Sequence, residues 1–333
     1  MKPLETFRAL VIDQVGGETH AAETQMPLKS LPDGDVLVAV TYSSLNYKDG
    51  LAVTGKGKVV RQFPMIPGID LVGRVVESQS TRVTRGSTVL LTGWGIGEDR
   101  WGGYAQLARV RSEWLLPLPD TLSAKGAMTI GTAGLTAMLS LLELEGRGLT
   151  PDKGEVIVTG AGGGVGSIAV ALLARSGYRV VASTGRKEIH EYLRSLGAVE
   201  VLDRTLLSAH SERPLESARW AGAIDTVGGD TLAGLMRSMA THASIAVCGL
   251  AGGNILNTTV FPLILRGISL IGIETSRAPM PLRAQAWGRL ERGLDETTLG
   301  RIGYTAALSD IPGLSEDILQ GRIRGRIVVD VNA

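Results

Sequence analysis

The stretch Ile157–Arg186, IVTGAGGGVGSIAVALLARSGYRVVASTGR, restricts the fold of this chain more than any other. A short β-branched run, EVIVTG, passes through clustered glycines into helix-length apolar sequence (Val165–Ser176) that closes at Gly177, and YRVVAST follows as a second strand. Strand, helix and strand in this order imply a parallel pair, because parallel neighbours need a long crossover between them. The glycines fall as Gly160-x-x-Gly163-x-x-Gly166, with Gly162 and Gly164 between them and Val165 in the same turn. This is one step looser than G-x-G-x-x-G. A turn stripped of side chains brings backbone N–H groups and the positive end of a helix against a pyrophosphate. Tight packing without a ligand is the plainer explanation, but the flanking strand and helix favour nucleotide binding.

The end of the second strand carries the next inference. A dinucleotide site for NAD places Asp or Glu there, about 20 residues on, to bond the ribose 2′-hydroxyl. This chain reads Ser183-Thr184-Gly185-Arg186-Lys187 instead. An acid would repel a 2′-phosphate, whereas hydroxyls and a guanidinium would bind it, so the tip points to NADPH. Arg204, after the third strand, is a second candidate partner for that phosphate.

With 333 residues the chain is expected to form two domains. Residues 1 to about 115 read as short strands (Arg8–Asp13, Asp35–Ser44, Gly73–Ser78, Ser87–Gly93) suited to an antiparallel barrel or sandwich. LLPLPD (Leu115–Asp120) breaks the pattern, and from about Ser123 strands and helices alternate, which makes the whole an α/β protein. Gly321–Val331 reads as a strand returning to the first domain, with Arg322, Arg324 and Arg326 on one face. A net charge of +1 and 4% aromatic residues give no reason to expect nucleic acid. Cys248 is the single cysteine, so neither an internal disulfide nor a thiolate metal site can be built from cysteine alone. MKPLETFRALVID lacks the apolar run of a signal peptide and no membrane span is expected, so a cytoplasmic location is. The sequon at Asn257 is then incidental.

A β-rich domain, a dinucleotide-binding domain and a returning strand together resemble the medium-chain dehydrogenase/reductase superfamily. The resemblance implies a GroES-like domain over 1–122 and 296–333 and a Rossmann domain, a doubly wound parallel sheet, over 123–295. Zinc-dependent members carry Cys-x-x-Asp and Gly-His-Glu in the first domain. Here NYKD (Asn46–Asp49) and PGIDLVG (Pro67–Gly73) stand in those places, so Asn46 replaces the cysteine, Ile69 the histidine, and Asp70 stands at the glutamate. An isoleucine offers no lone pair and an amide is a poor zinc ligand, so no metal is expected. The blocks SSLNYKDGLAVTGKGKVVRQFPMIPGIDLVG, TGAGGGVGS, STGRKEIHEYLRSLGA, WAGAIDTVGG, CGLAGG and RAQAW resemble the bacterial acrylyl-CoA reductase (NADPH) subfamily. Gly162 stands where that subfamily commonly has serine, and the tip reads Ser-Thr-Gly-Arg rather than Ser-Gly-Arg.

That resemblance implies hydride addition from NADPH to an enoyl-CoA thioester and a homodimer. It places Asn46 and Tyr47 at the reacting centre, and adds Leu250 of CGLAGG to the cofactor contacts. Tyr47 could bond the cofactor or give a proton to the substrate. Asp49 and Asp70 are expected to hold local structure, since an anion beside a forming enolate would oppose the reaction. Lys56, Lys58 and Arg61 share one glycine-rich loop suited to the phosphates of CoA, or are simply solvated. Gly50-x4-Gly55-Lys56-Gly57 misses the P-loop hydroxyl at its last position. With no Gly-x-Ser-x-Gly elbow and scattered histidines (His20, His190, His210, His242), nothing supports a serine hydrolase. The remaining alternatives are an NADPH:quinone reductase and a nucleotide-binding regulator without chemistry.

Overall fold

The structure, a computed structural model, describes residues 5–333. The chain forms two compact units. The first takes the described residues up to Thr132 with Ser276–Ala284 and Asp295–Ala333, and the second takes Ala133–Thr275 with Gln285–Leu294. Residues 123–132, 276–284 and Asp295 therefore lie with the first unit, where the resemblance places 123–295 in the Rossmann domain. Hydrogen bonds explain the difference. The Thr132 N–H donates to Asp70 at 3.0 Å, and Trp94 N donates to Ser276 O at 2.9 Å.

In the first unit a seven-stranded sheet runs in the order Gly303–Ala307, Arg326–Asp330, Val36–Leu45, Asp70–Ser78, Thr88–Thr92 and Leu116–Pro117, with Leu107–Val110 also pairing onto Val36–Leu45. A hairpin of Thr6–Val15 and Glu18–Pro27 accompanies it. Alternating apolar residues such as Val36, Val38 and Val40 turn inward with Leu71, Leu91 and Ile327 to make the core. The last strand returns to this unit, pairing Ile327 with Leu45. It is shorter than its sequence suggested. Gly321 and Gly325 take φ of 69° and 64°, which bends the chain and starts the strand only at Arg326. Arg322, Arg324 and Arg326 therefore do not share a strand face: Arg322 pairs with Asp317, while Arg326 is buried.

The second unit is built on six parallel strands in the order Glu200–Asp203, Arg179–Thr184, Glu155–Val158, Trp220–Asp225, Met239–Val247 and Ser269–Gly272. The order reverses between Glu155–Val158 and Trp220–Asp225, the position at which open parallel sheets accept ligands at their C-terminal ends. Helix Gly164–Arg175 follows the glycine turn and buries Ile168, Val170 and Leu172. Helix Ala124–Gly146 is long and apolar enough to cross a membrane, which the sequence reading missed, yet 83% of its most apolar window is buried within the protein.

Candidate active site

The strand Glu155–Val158 delivers the chain into the glycine turn, where each glycine has a steric reason. Gly160 takes φ 58°, and a Cβ there would collide with Thr226 Oγ1. A Cβ on Gly166 would strike the Gly160 carbonyl, so the helix packs against the turn only because that atom is missing. Gly163 N donates to Gly160 O at 3.0 Å and closes the loop. No side chain caps the helix at Gly163, which leaves the first-turn N–H groups of Gly164, Val165 and Gly166 for an anion.

Asp225 braces this turn from below. Its carboxylate accepts from Thr159 Oγ1 at 2.6 Å and Gly228 N at 2.8 Å, and burial pushes its pKa above the usual value. Leu250 is exposed in the adjoining loop, where Gly252 N donates to Val227 O at 2.7 Å. Sequence reading passed over Thr159 and Asp225, since an acid ending a strand gives no sign that it ties two turns together.

Both candidate arginines lie near the tip of Arg179–Thr184. Arg186 Nη2 donates to Gly162 O at 3.2 Å, which lays the side chain over the glycine turn. Arg204 N donates to Thr184 O at 3.1 Å, and its Nε would stand 2.6 Å from a Cβ on Gly185. The glycine at 162 now has a reason as well: a Cβ would sit 2.8 Å from Arg186 Nη2 and collide with Ile189. Thr184 Oγ1 accepts from Arg186 N at 3.2 Å, whereas Ser183 Oγ is buried without a hydrogen-bond partner among the described residues. The nearby acid Asp203 accepts from the backbone and hydroxyl of Thr205, which together with the charges of Lys187 and Arg204 lowers its pKa. Bare first-turn amides, an orphaned hydroxyl and two arginines fit a dinucleotide with a 2′-phosphate.

The first unit holds a closed polar network around Asn46. Its Oδ1 accepts from Arg326 Nη1 at 3.0 Å, and its Nδ2 donates to Asp70 at 2.9 Å and Asp49 at 3.1 Å. Asp70 also accepts from Ser44 Oγ at 2.6 Å and Thr132 Oγ1 at 2.5 Å, and its Oδ2 lies 3.8 Å from the Arg326 guanidinium. Helix Ala124–Gly146 breaks at Gly131, φ 48°, where a Cβ would meet Asp70 and Arg326. Both ends of the Asn46 amide are thus hydrogen-bonded, directly before helix Tyr47–Thr54. Burial, then the charge of Asp70, push the Asp49 pKa up to about 7, while burial draws that of Arg326 down. Tyr47, the first residue of the helix, is 37% exposed and stands outside the network. In the basic loop Lys56 is ion-paired with Glu316, leaving Lys58 and Arg61 exposed.

Residues 32–120 match the family model described as the alcohol dehydrogenase GroES-like domain, and 164–290 match the one described as zinc-binding dehydrogenase. The chain is 50% identical to the acrylyl-CoA reductase AcuI of Ruegeria pomeroyi over 98% of its own length and 100% of that protein's. It belongs to the medium-chain dehydrogenase/reductase family, in the acrylyl-CoA reductase branch. Two solved family structures superpose closely on it. One is Escherichia coli K-12 YhdH with bound NADPH, at TM-score 0.95 and 51% identity, covering 97% of this chain and 100% of that one. The other is Bacillus subtilis yhfP with NAD bound, at TM-score 0.94 and 44% identity, covering 98% and 99%.

The zinc of some family members does not suit this donor set. Ile69 offers no donor, the Asn46 amide is committed at both ends, and the cationic Arg326 already faces Asp70. Among the described residues no three His, Cys, Asp or Glu gather. A divalent ion would meet a fixed guanidinium and too few anions.

Proposed function

We propose that the chain reduces the C=C bond of acryloyl-CoA to propanoyl-CoA with NADPH and no metal ion. The near-full-length identity to an acrylyl-CoA reductase carries this reading. The acid-free tip with Arg186 and Arg204 supports the phosphorylated dinucleotide. NADPH supplies the hydride. The turn amides of Gly164, Val165 and Gly166 hold its pyrophosphate, and Arg186 and Arg204 its 2′-phosphate. Hydride arrives at the β carbon, the thioester carbonyl takes up the negative charge, and a proton completes the α carbon. Asn46, fixed by Arg326 and Asp70, positions the helix from which the Tyr47 hydroxyl supplies that proton. Lys58 and Arg61 attract the phosphates of CoA.

The test is initial-rate NADPH oxidation with acryloyl-CoA beside a panel of quinones and free enones, with product analysis. Turnover fastest with acryloyl-CoA, giving propanoyl-CoA, is the expected result. A quinone turning over faster at equal concentration would make the chain a quinone reductase, the reading that its 44% identity to the putative quinone oxidoreductase YhfP of Bacillus subtilis supports. Bound cofactor with no product would leave a regulator.

The chain pairs with a second copy through the edge of the parallel sheet. Ser269–Gly272 is an edge strand; its own Leu270 is exposed, as are Val260, Phe261, Ile264 and Leu265 in the segment before it. An apolar face next to an open strand edge is what a homodimer would cover. A cytoplasmic setting suits a single cysteine whose thiol pKa burial raises to about 12.

A further inference from the structure

We propose that a cleft at the N-terminal ends of the parallel strands, lined by Arg147, Lys153 and His242, binds phosphate or a phosphate monoester. It lies at the opposite end of Glu155–Val158 from the glycine turn and is independent of the reaction above. A cavity of about 290 Å³ opens there between the close of helix Ala124–Gly146, the Pro151–Lys153 turn and the start of Met239–Val247. Arg147, Lys153 and His242 line it, and no carboxylate does.

The neighbouring acids are committed elsewhere. Glu155 accepts from Arg179 at 3.3 Å and Arg219 at 3.0 Å, Glu145 is paired with Arg289, and Asp152, which also feels the charge of Lys153, takes a hydrogen bond from Thr150 and does not line the cleft. Carbonyls at a helix C-terminus would repel an anion. Here they are closed off, with Leu149 N donating to Leu144 O at 3.0 Å and Gly148 N to Glu145 O at 2.8 Å.

The strand pairing shows that the cleft is shaped. Trp220 pairs with Met239 and Gly222 with Ser244, so Met239–Val247 spends extra residues where its neighbour advances by two, and the surplus swells into a bulge. Within it His242 takes φ 61°, a left-handed conformation rare outside glycine. Its Nδ1 would stand 2.8 Å from a Cβ on Gly267, itself at φ 58°, so the ring is laid against bare backbone. A bulge that re-aims one side chain at the cost of strain is a feature of functional surfaces. Guanidinium, ammonium and imidazole donors with no anion among them match a phosphoryl group. The cavity sits at the small end of ligand pockets, which suits that group rather than a whole coenzyme.

The phosphate could be free or part of a larger molecule such as CoA. The experiment titrates NADPH-saturated protein with inorganic phosphate at constant ionic strength, followed by ³¹P NMR. Saturable binding is expected, weakened about tenfold in Arg147→Ala/Lys153→Ala with NADPH affinity retained, as loss of charged hydrogen bonds predicts. His242→Asn, a residue that tolerates positive φ, should weaken it with the fold intact. Displacement of phosphate by CoA but not by dephospho-CoA assigns the source to the 3′-phosphate of CoA; displacement by neither assigns free phosphate. Binding that does not saturate, or is equal in wild type and the double variant, overturns the site.

Discussion

Arg326 Nη1 donates to Asn46 Oδ1 at 3.0 Å across a separation of 280 residues. The last strand of the chain thereby fixes the first turn of helix Tyr47–Thr54, with Asp70 as the anion facing the guanidinium. Both charges are buried, so removing one strands the other. Arg326→Met is expected to destabilise the first unit by about 3–5 kcal/mol. Pairing it with Asp70→Asn should recover part of the loss, because the orphaned charge goes too. Urea unfolding of the two single variants and the double variant measures this, and additive losses would show that the pair does not act as a unit.

Asp49 makes stability depend on pH in an unusual direction. Burial and the charge of Asp70 raise its carboxyl pKa to about 7 in the folded chain, against 3.8 for an unperturbed aspartate. The folded state holds the extra proton between those values. The associated stability is complete below the lower value and is lost as pH rises through the upper one. Asp49→Asn should remove this dependence, so that wild type minus variant falls by up to about 1.4 kcal/mol per pH unit across the window. Thermal melts at matched ionic strength from pH 4 to 8 check it, and parallel curves for the two proteins would contradict it.

The sequence revealed the cofactor unit better than the polar network, and for a physical reason. A βαβ unit is local: strand, glycines, helix and strand follow within Ile157–Arg186, and their periodicities are visible in one line of sequence. Substitutions at Asn46, Ile69 and Asp70 were equally visible, because each residue type either can or cannot ligate a metal. What fills the vacated place was not. Arg326 looked like one of three arginines alternating on a strand, and only the bend at Gly325 separates it from Arg322 and Arg324. The same holds for Arg283, buried from helix Met280–Gly293 and donating to Thr92 O at 2.7 Å. Long-range pairing leaves no periodic trace.

Arg186→Ala should separate the two dinucleotides. Loss of a charged hydrogen-bond partner for the 2′-phosphate is expected to weaken NADPH by about 2 kcal/mol and leave NADH almost unchanged. Fluorescence titration of both cofactors gives the comparison. Equal losses for both cofactors in Arg186→Ala would mean that the side chain acts on the turn rather than on the phosphate.

Ile264→Glu tests the apolar face beside Ser269–Gly272. Ile264 is 68% exposed, so a charge there costs the isolated chain little, but buried in a pair of copies it would be unpaired. Light scattering should report a dimer for wild type and a monomer for the variant, with NADPH affinity preserved. A monomeric wild type would remove the second copy from consideration.

Tyr47→Phe asks where the final proton comes from. Tyr47 begins its helix directly after Asn46, is 37% exposed, and lies outside the Asp49–Asp70–Arg326 network. Removing its hydroxyl should therefore leave the unfolding midpoint unchanged. If it protonates the α carbon, kcat with acryloyl-CoA falls about 10²-fold or more while NADPH affinity stays the same. The reduced product then forms slowly, and the solvent deuterium isotope effect on kcat grows as proton delivery becomes limiting. A fall in NADPH affinity with kcat intact would make Tyr47 a cofactor contact instead. A variant within twofold of wild type in both would send the proton through another donor.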